Sequence, residues 1–111
     1  MVTGRVARRG DVFLVELTPT RGREIQRARP CLVVSPDERN RHLSTDIIAP
    51  RTAAGNPYPF RVACRFQGKT GPVVLDLIRP VDRERLVRKL GHASPRIMTR
   101  PLQALQGWFA S

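Results

Sequence analysis

Five short apolar runs, rich in β-branched residues and separated by proline and glycine, restrict the fold of this chain more than any other feature. They occupy positions 12–17, 31–35, 46–49, 60–64 and 72–78, and no helix-length amphipathic segment intervenes. The first run is almost continuously apolar, and the fourth alternates apolar with polar residues as a half-exposed strand does. Pro19, Gly22, Pro36, Gly55, Pro57, Pro59, Gly68 and Gly71 punctuate the gaps, where such residues favour turns. Strands so spaced predict a small, mainly β, antiparallel barrel or sandwich.

After Pro80 the pattern changes. Asp82 is expected to cap a short helical turn over 83–87. Ser94 followed by Pro95 suits the start of a second helix, with serine as N-cap and proline in the first turn. Ile97, Pro101, Ala104 or Leu105, and Trp108 then share one face. A proline inside a helix costs about 3 kcal/mol, so a kink or a fresh start is expected at Pro101. Gly107 weakens the end.

The 111 residues suit one domain, 1–111, whose 41% hydrophobic content argues against disorder. A domain of this size leaves much of its surface wet, and dimerisation is a common remedy. No run approaches the roughly 18 apolar residues of a membrane span. The basic opening MVTGRVARRG is not followed by an apolar stretch of signal-peptide length, so a cytoplasmic protein with no membrane contact is expected.

The net charge is +11, from eighteen arginines and only two lysines, Lys69 and Lys89, against nine acids. Such a field attracts polyanions, and the planar arginine fork grips two phosphate oxygens at once. Nucleic acid is therefore one expected partner, and an acidic protein is another. A GC-rich coding sequence accounts for arginine over lysine but leaves the charge in place. Cys31 and Cys64 lie far apart in strand-like runs and read as buried, reduced thiols. They lack metal-ligand spacing, so neither a metal nor a cofactor is expected. His42 and His92 have no partner pattern and read as loop or surface residues. Two polar segments, 18–29 and 51–59, join runs and read as either disordered surface or a ligand site on a rim. The first carries Arg21, Arg23, Arg27 and Arg29 with Glu24.

Several stretches fall into a familiar order. RGDVFLVEL precedes a Gly-x-Glu loop (Gly22, Glu24), and Arg29-Pro30 enters CLVVSP. Asn40, IIAPRT ending at Thr52, Tyr58-Pro59-Phe60, GPVVLD with Asp76, Ile78-Arg79 and Val81-Asp82 follow. Over about residues 9–107 this resembles the MazF/PemK (Kid) toxins of type II toxin–antitoxin systems. The resemblance implies an SH3-like, CcdB/PemK-like antiparallel β-barrel with a C-terminal helix, assembled as a homodimer. It also implies a metal-independent endoribonuclease acting on single-stranded RNA, mRNA in particular. The substrate's own 2′-hydroxyl attacks the phosphorus, leaving a 2′,3′-cyclic phosphate and a 5′-hydroxyl. A cognate antitoxin with an acidic, disordered tail is the implied partner.

By the same resemblance Arg29 is the arginine that stabilises the pentacovalent phosphorane, and Thr52 donates its hydroxyl to a phosphate oxygen. Without it, Arg29 is a surface residue of a basic loop and Thr52 a turn cap. Glu24 orients Arg29, takes a proton or offsets its arginine neighbours. Asp76 serves acid–base chemistry or forms a structural ion pair with Arg79 or Arg29. Arg21, Arg23, Arg27, Arg51 and Arg79 are candidate RNA-binding cations, and Tyr58 a stacking platform. Three positions depart from the family pattern. Arg23 stands where the Kid branch has a histidine, Val74 where it has an arginine, and Leu77 where many members carry glutamine. These departures leave the general base unassigned. The Trp108-Phe109 ending loosely matches CcdB-type gyrase poisons of the same fold, and the charge alone permits a non-catalytic nucleic-acid-binding barrel. The retained Arg29 and Thr52 favour the nuclease.

Overall fold

Residues 12–15 and 31–34 are continuous in apolar side chains because their strands are covered on both faces. This is seen in a computed structural model that describes residues 6–16, 28–51, 61–66 and 69–109; of 61–66, 69–72, 76, 108 and 109 the backbone alone is described. Strand β1 (Asp11–Glu16) pairs antiparallel with β2 (Ala28–Val33), Val15 lying opposite Arg29. Alternation sends Phe13, Val15, Cys31 and Val33 to one side, where they pack with Ala7, Ile48, Val81 and Leu86. Val12 and Leu32 go to the other side and meet Val34, Ala49, Val73, Leu75, Ala93 and Met98.

The remaining elements complete these two layers. Helix α1 (Asp37–His42) leads to β3 (Thr45–Pro50), and β4 (Arg61–Phe66) forms a hairpin with β5 (Lys69–Val74). A 3-10 turn, Leu75–Leu77, then precedes β6 (Arg79–Asp82), and a second, Arg83–Arg85, precedes β7 (Leu86–His92) and α2 (Pro95–Phe109). The antiparallel order in the main sheet is β6-β3-β2-β1-β7. A bridge between Arg51 and Val73 ties the hairpin to the end of β3. This is the mainly β, antiparallel architecture with a C-terminal helix that the spacing of apolar runs predicts. Among the described residues no helix is long and apolar enough to cross a membrane.

Several local expectations need correction. Asp82 precedes a 3-10 turn but makes no side-chain cap, and the chain returns to strand at Leu86. The fifth run ends as a strand at Val74, and the turn that follows buries Leu75 while it swings Leu77 out. Asp76 therefore sits in a turn and not within a strand. Six polar residues form a helix between β2 and β3, where the spacing of apolar runs predicts only a gap. Ser94 does cap α2, its hydroxyl accepting the Ile97 N–H at 3.3 Å. The helix then runs through Pro101 as one element and does not restart there. Pro101 is fully buried, and Ile97, Leu102, Ala104 and Leu105 pack beside it against the core, so tertiary burial offsets the lost backbone bond.

Where β1 begins, Gly10 has φ +98°, and a Cβ there would stand 2.7 Å from the Ala93 carbonyl oxygen. Only glycine allows this approach, through which Ala93 N–H reaches the Gly10 carbonyl at 2.7 Å and Gly10 N–H the Val33 carbonyl at 2.9 Å. Beside it Asp11, 2% exposed, accepts from Arg8 N–H at 2.8 Å and faces His92 Nδ1 at 2.6 Å and Lys89 Nζ at 3.3 Å. His92 is exposed, as expected, but it is a strand residue and has a buried acidic partner in Asp11, which the sequence pattern does not show. His42 is exposed at the end of α1, as expected.

Candidate nucleic-acid interface

Proline shapes the start of β2. The residue before a proline is pushed toward extended backbone, and Arg29 accordingly belongs to the strand and not to the preceding loop. Its side chain is exposed. Arg29 lies two residues before Cys31, so both side chains share the face that packs around Phe13, Val15 and Ile48. On β6, Arg79 precedes Val81 of the same cluster by two, and is exposed as well. Two exposed arginines from two different strands therefore lie on the sheet face that buries Cys31.

The thiol registers both. Cys31 is fully buried and unbonded to another cysteine, and its S–H approaches the Arg29 carbonyl at 3.4 Å. Burial pushes its pKa up to about 12 from 9.0, and the positive fields of Arg29 and Arg79 offset part of that rise. This agrees with the expected buried, reduced thiol; the Cys64 side chain lies outside the described set. The native thiol is therefore inert. Iodoacetamide at pH 8 should leave the Cys31 peptide unmodified by mass spectrometry and label it fully once denaturant is added. Rapid native labelling would contradict the burial. The sign of the linkage also follows: unfolded Cys31 ionises from about pH 9 and the folded thiol only near 12, so this group lowers stability as pH rises through that window.

Two more arginines share this end of the sheet. Arg51 N–H donates to the Pro30 carbonyl at 2.9 Å, which brings Arg51 beside the strand position next to Arg29. Arg85, a residue the sequence reading did not single out, donates from Nη1 to the Glu16 carbonyl at 3.3 Å. Glu16 in turn pairs with Ala28, and Leu86 with Val15, so Arg85 flanks the same end from across β1. Its only sequence signal is its place in a charged Asp-Arg-Glu-Arg stretch, which composition cannot tell from an ordinary solvated turn. Arg29, Arg51, Arg79 and Arg85 make a cationic rim on the described part of the molecule. Asp76 has its backbone in the turn leading to Arg79, and its side chain is outside the described set. Arg21, Arg23, Glu24, Arg27, Thr52 and Tyr58 lie outside the described residues.

A rim of this kind suits a phosphodiester backbone. Exposed guanidiniums bond non-bridging oxygens in pairs, and the flanking β-strands fix their spacing.

Residues 8–109 match the family described as the PemK-like, MazF-like toxin of type II toxin–antitoxin systems. Endoribonuclease EndoA of Bacillus subtilis (strain 168) is 33% identical over 107 residues, spanning 91% of this chain and 92% of that protein. Among solved structures, a MazE–MazF crystal structure (form II) from Deinococcus radiodurans superposes with a TM-score of 0.81 at 28% identity, covering 95% of this chain and 96% of that one. A mycobacterial endoribonuclease in complex with its cognate antitoxin gives a TM-score of 0.76 at 29% identity, covering 93% and 94%. The SH3-like barrel expected from the sequence is the fold these relatives share. By family match, identity and fold together, this chain belongs to the PemK-like, MazF-like toxins of type II toxin–antitoxin systems.

Proposed function

We propose that the protein is an endoribonuclease toxin that cuts single-stranded RNA at the cationic rim around Arg29 and is silenced by an antitoxin. The observation that carries the reading is the exposed Arg29 guanidinium at the head of β2, with Arg79 exposed on the same face of the sheet, in a relative of proteins named endoribonucleases. In the reaction, the 2′-hydroxyl oxygen of the RNA bonds to phosphorus as the bond from phosphorus to the 5′-oxygen breaks. The proton leaves the 2′-oxygen for a base, and the departing 5′-oxygen gains one. The products are a 2′,3′-cyclic phosphate and a 5′-hydroxyl. Since the substrate supplies the nucleophile, the protein supplies charge stabilisation and proton transfer.

Arg29 neutralises the charge that develops on the phosphorane. Thr52 follows Arg51 directly in the chain. That supports a role for its hydroxyl in donating to the same phosphate. Glu24 orients Arg29 or takes a proton, and Asp76 is the second acid available for proton transfer. Arg21, Arg23, Arg27, Arg51 and Arg79 hold neighbouring phosphates, with Tyr58 stacking on a base. The single domain acts as a homodimer in the cytoplasm, where an antitoxin with an acidic tail covers the rim and the +11 charge draws it in.

The test is direct. Purified protein incubated with a long single-stranded RNA in EDTA should yield discrete fragments ending in cyclic phosphate, with 5′-hydroxyl ends on the downstream pieces. RNA that stays intact would reject the reading.

A further inference from the structure

Leu77 is the most exposed of the large apolar side chains among the described residues, at 56%. It stands at the end of the 3-10 turn that leads into β6, two residues before Arg79. Ile78 between them has extended backbone, with φ −61° and ψ 142°, and packs against the core. Leu77 and Arg79, one residue apart on either side of the half-buried Ile78, are both exposed, which puts an isobutyl group within one residue of a guanidinium on the surface. Arg79 in turn lies with Arg29 on the sheet face that buries Cys31. A nucleotide has the complementary form, an anionic phosphate joined to a flat base whose faces are poorly hydrated.

Resting on the RNA-cleaving reading above, we infer that Leu77 is a specificity determinant: it holds a base of the RNA by apolar contact while Arg79 holds the adjoining phosphate. An isobutyl group offers neither donor nor acceptor, so this contact does not read Watson–Crick edges. It selects by contact area, which favours a purine face over the smaller pyrimidine face. An exposed leucine gives up little in the free protein and gains when a base covers it.

The probes are 20-nucleotide oligo(A) and oligo(U) RNAs synthesised with 2′-deoxy sugars, which lack the attacking hydroxyl and stay whole in the assay. Wild-type protein should bind oligo(A) more tightly than oligo(U). Leu77→Ala should weaken oligo(A) binding about fivefold and bring the two affinities together, whereas Leu77→Met, which keeps the apolar area, should preserve both. The salt dependence separates the two contacts: its slope should be unchanged in Leu77→Ala and shallower in Arg79→Gln, which loses a phosphate contact. Equal binding by wild type and Leu77→Ala overturns the inference. So does an altered oligomeric state of Leu77→Ala in sedimentation, which would make the leucine a contact between copies. Failure of wild type to cut ordinary RNA in EDTA would instead count against the nuclease reading, while these binding results would still decide the role of Leu77.

Discussion

Arg29→Ala should lower the rate of RNA cleavage by about 10²–10³-fold, the usual loss when one preorganised donor to a developing oxyanion is removed. Few substitutions in this molecule separate chemistry from folding so cleanly. The side chain is exposed, and among the described residues no carboxylate or carbonyl depends on its guanidinium. Truncating it strands no buried partner among the described residues, so stability should change by no more than about 0.5 kcal/mol. Arg29→Lys retains the charge but loses the planar fork, and should recover only part of the rate. Single-turnover cleavage of a long RNA in EDTA, read beside thermal melting of each variant, checks the prediction. Full activity in a folded Arg29→Ala protein would remove Arg29 from the mechanism.

Arg29 is singled out by the family resemblance, while the strands around it are legible from local chemistry that a sequence displays. Arg29-Pro30 marks the head of a strand, and the apolar residues of β1, β2 and β3 announce themselves because both sides of the sheet are covered. Ser94 and Pro95 likewise advertise the start of α2. Other elements are held by contacts that no short window contains. Helix α1 is polar throughout and only six residues long; Arg9 N–H donating to Asp37 at 2.6 Å and the buried Asn40 fix it from a distance. Strand β7 exposes Val87, Arg88 and Lys89 in succession, and its register against β1 shifts twice, which erases the two-residue period. Strand β6 begins Arg-Pro at the edge of the sheet, where a missing N–H is tolerated but the residues read as a turn. The same limit hid part of the rim. Arg85 joins it only through where the backbone puts it, and arginine is not unusual in a turn.

Arg83→Met should destabilise the fold by about 3 kcal/mol, because it leaves Asp46 charged and alone in the interior. Asp46 is fully buried, with both carboxylate oxygens taken by one guanidinium: Arg83 Nη2 lies 2.9 Å from Oδ1 and Nε 3.1 Å from Oδ2. The same Nη2 donates to the carbonyls of Asn40 at 2.6 Å and Leu43 at 2.9 Å, which closes the end of α1. Asn40 is buried too; its amide donates to the Ala7 and Ser35 carbonyls, and its Oδ1 accepts from the Ser35 hydroxyl at 2.6 Å. The Ser35 oxygen in turn accepts the Ile47 N–H at 3.0 Å. Arg83, in the 3-10 turn after β6, thus ties α1 and β3 together through one polar network. Its bond to Asp46 raises its own pKa above the usual arginine value against the desolvation that opposes it. The Arg83 side chain keeps about a quarter of its surface in water, so the loss belongs at the lower end of the 3–5 kcal/mol typical of broken buried pairs. Removing both charges in Arg83→Met/Asp46→Leu should restore much of the stability, since an apolar pair leaves nothing unsatisfied. Urea denaturation of the single and double variants measures the coupling, and a cost below about 1 kcal/mol for Arg83→Met would show that the network is dispensable. The network also lies at the Thr45 end of β3, opposite the Pro50 end that adjoins Arg29 and Arg51. A folded Arg83→Met protein, kept well below its melting temperature, should therefore cut RNA at the wild-type rate, the converse of what Arg29→Ala does.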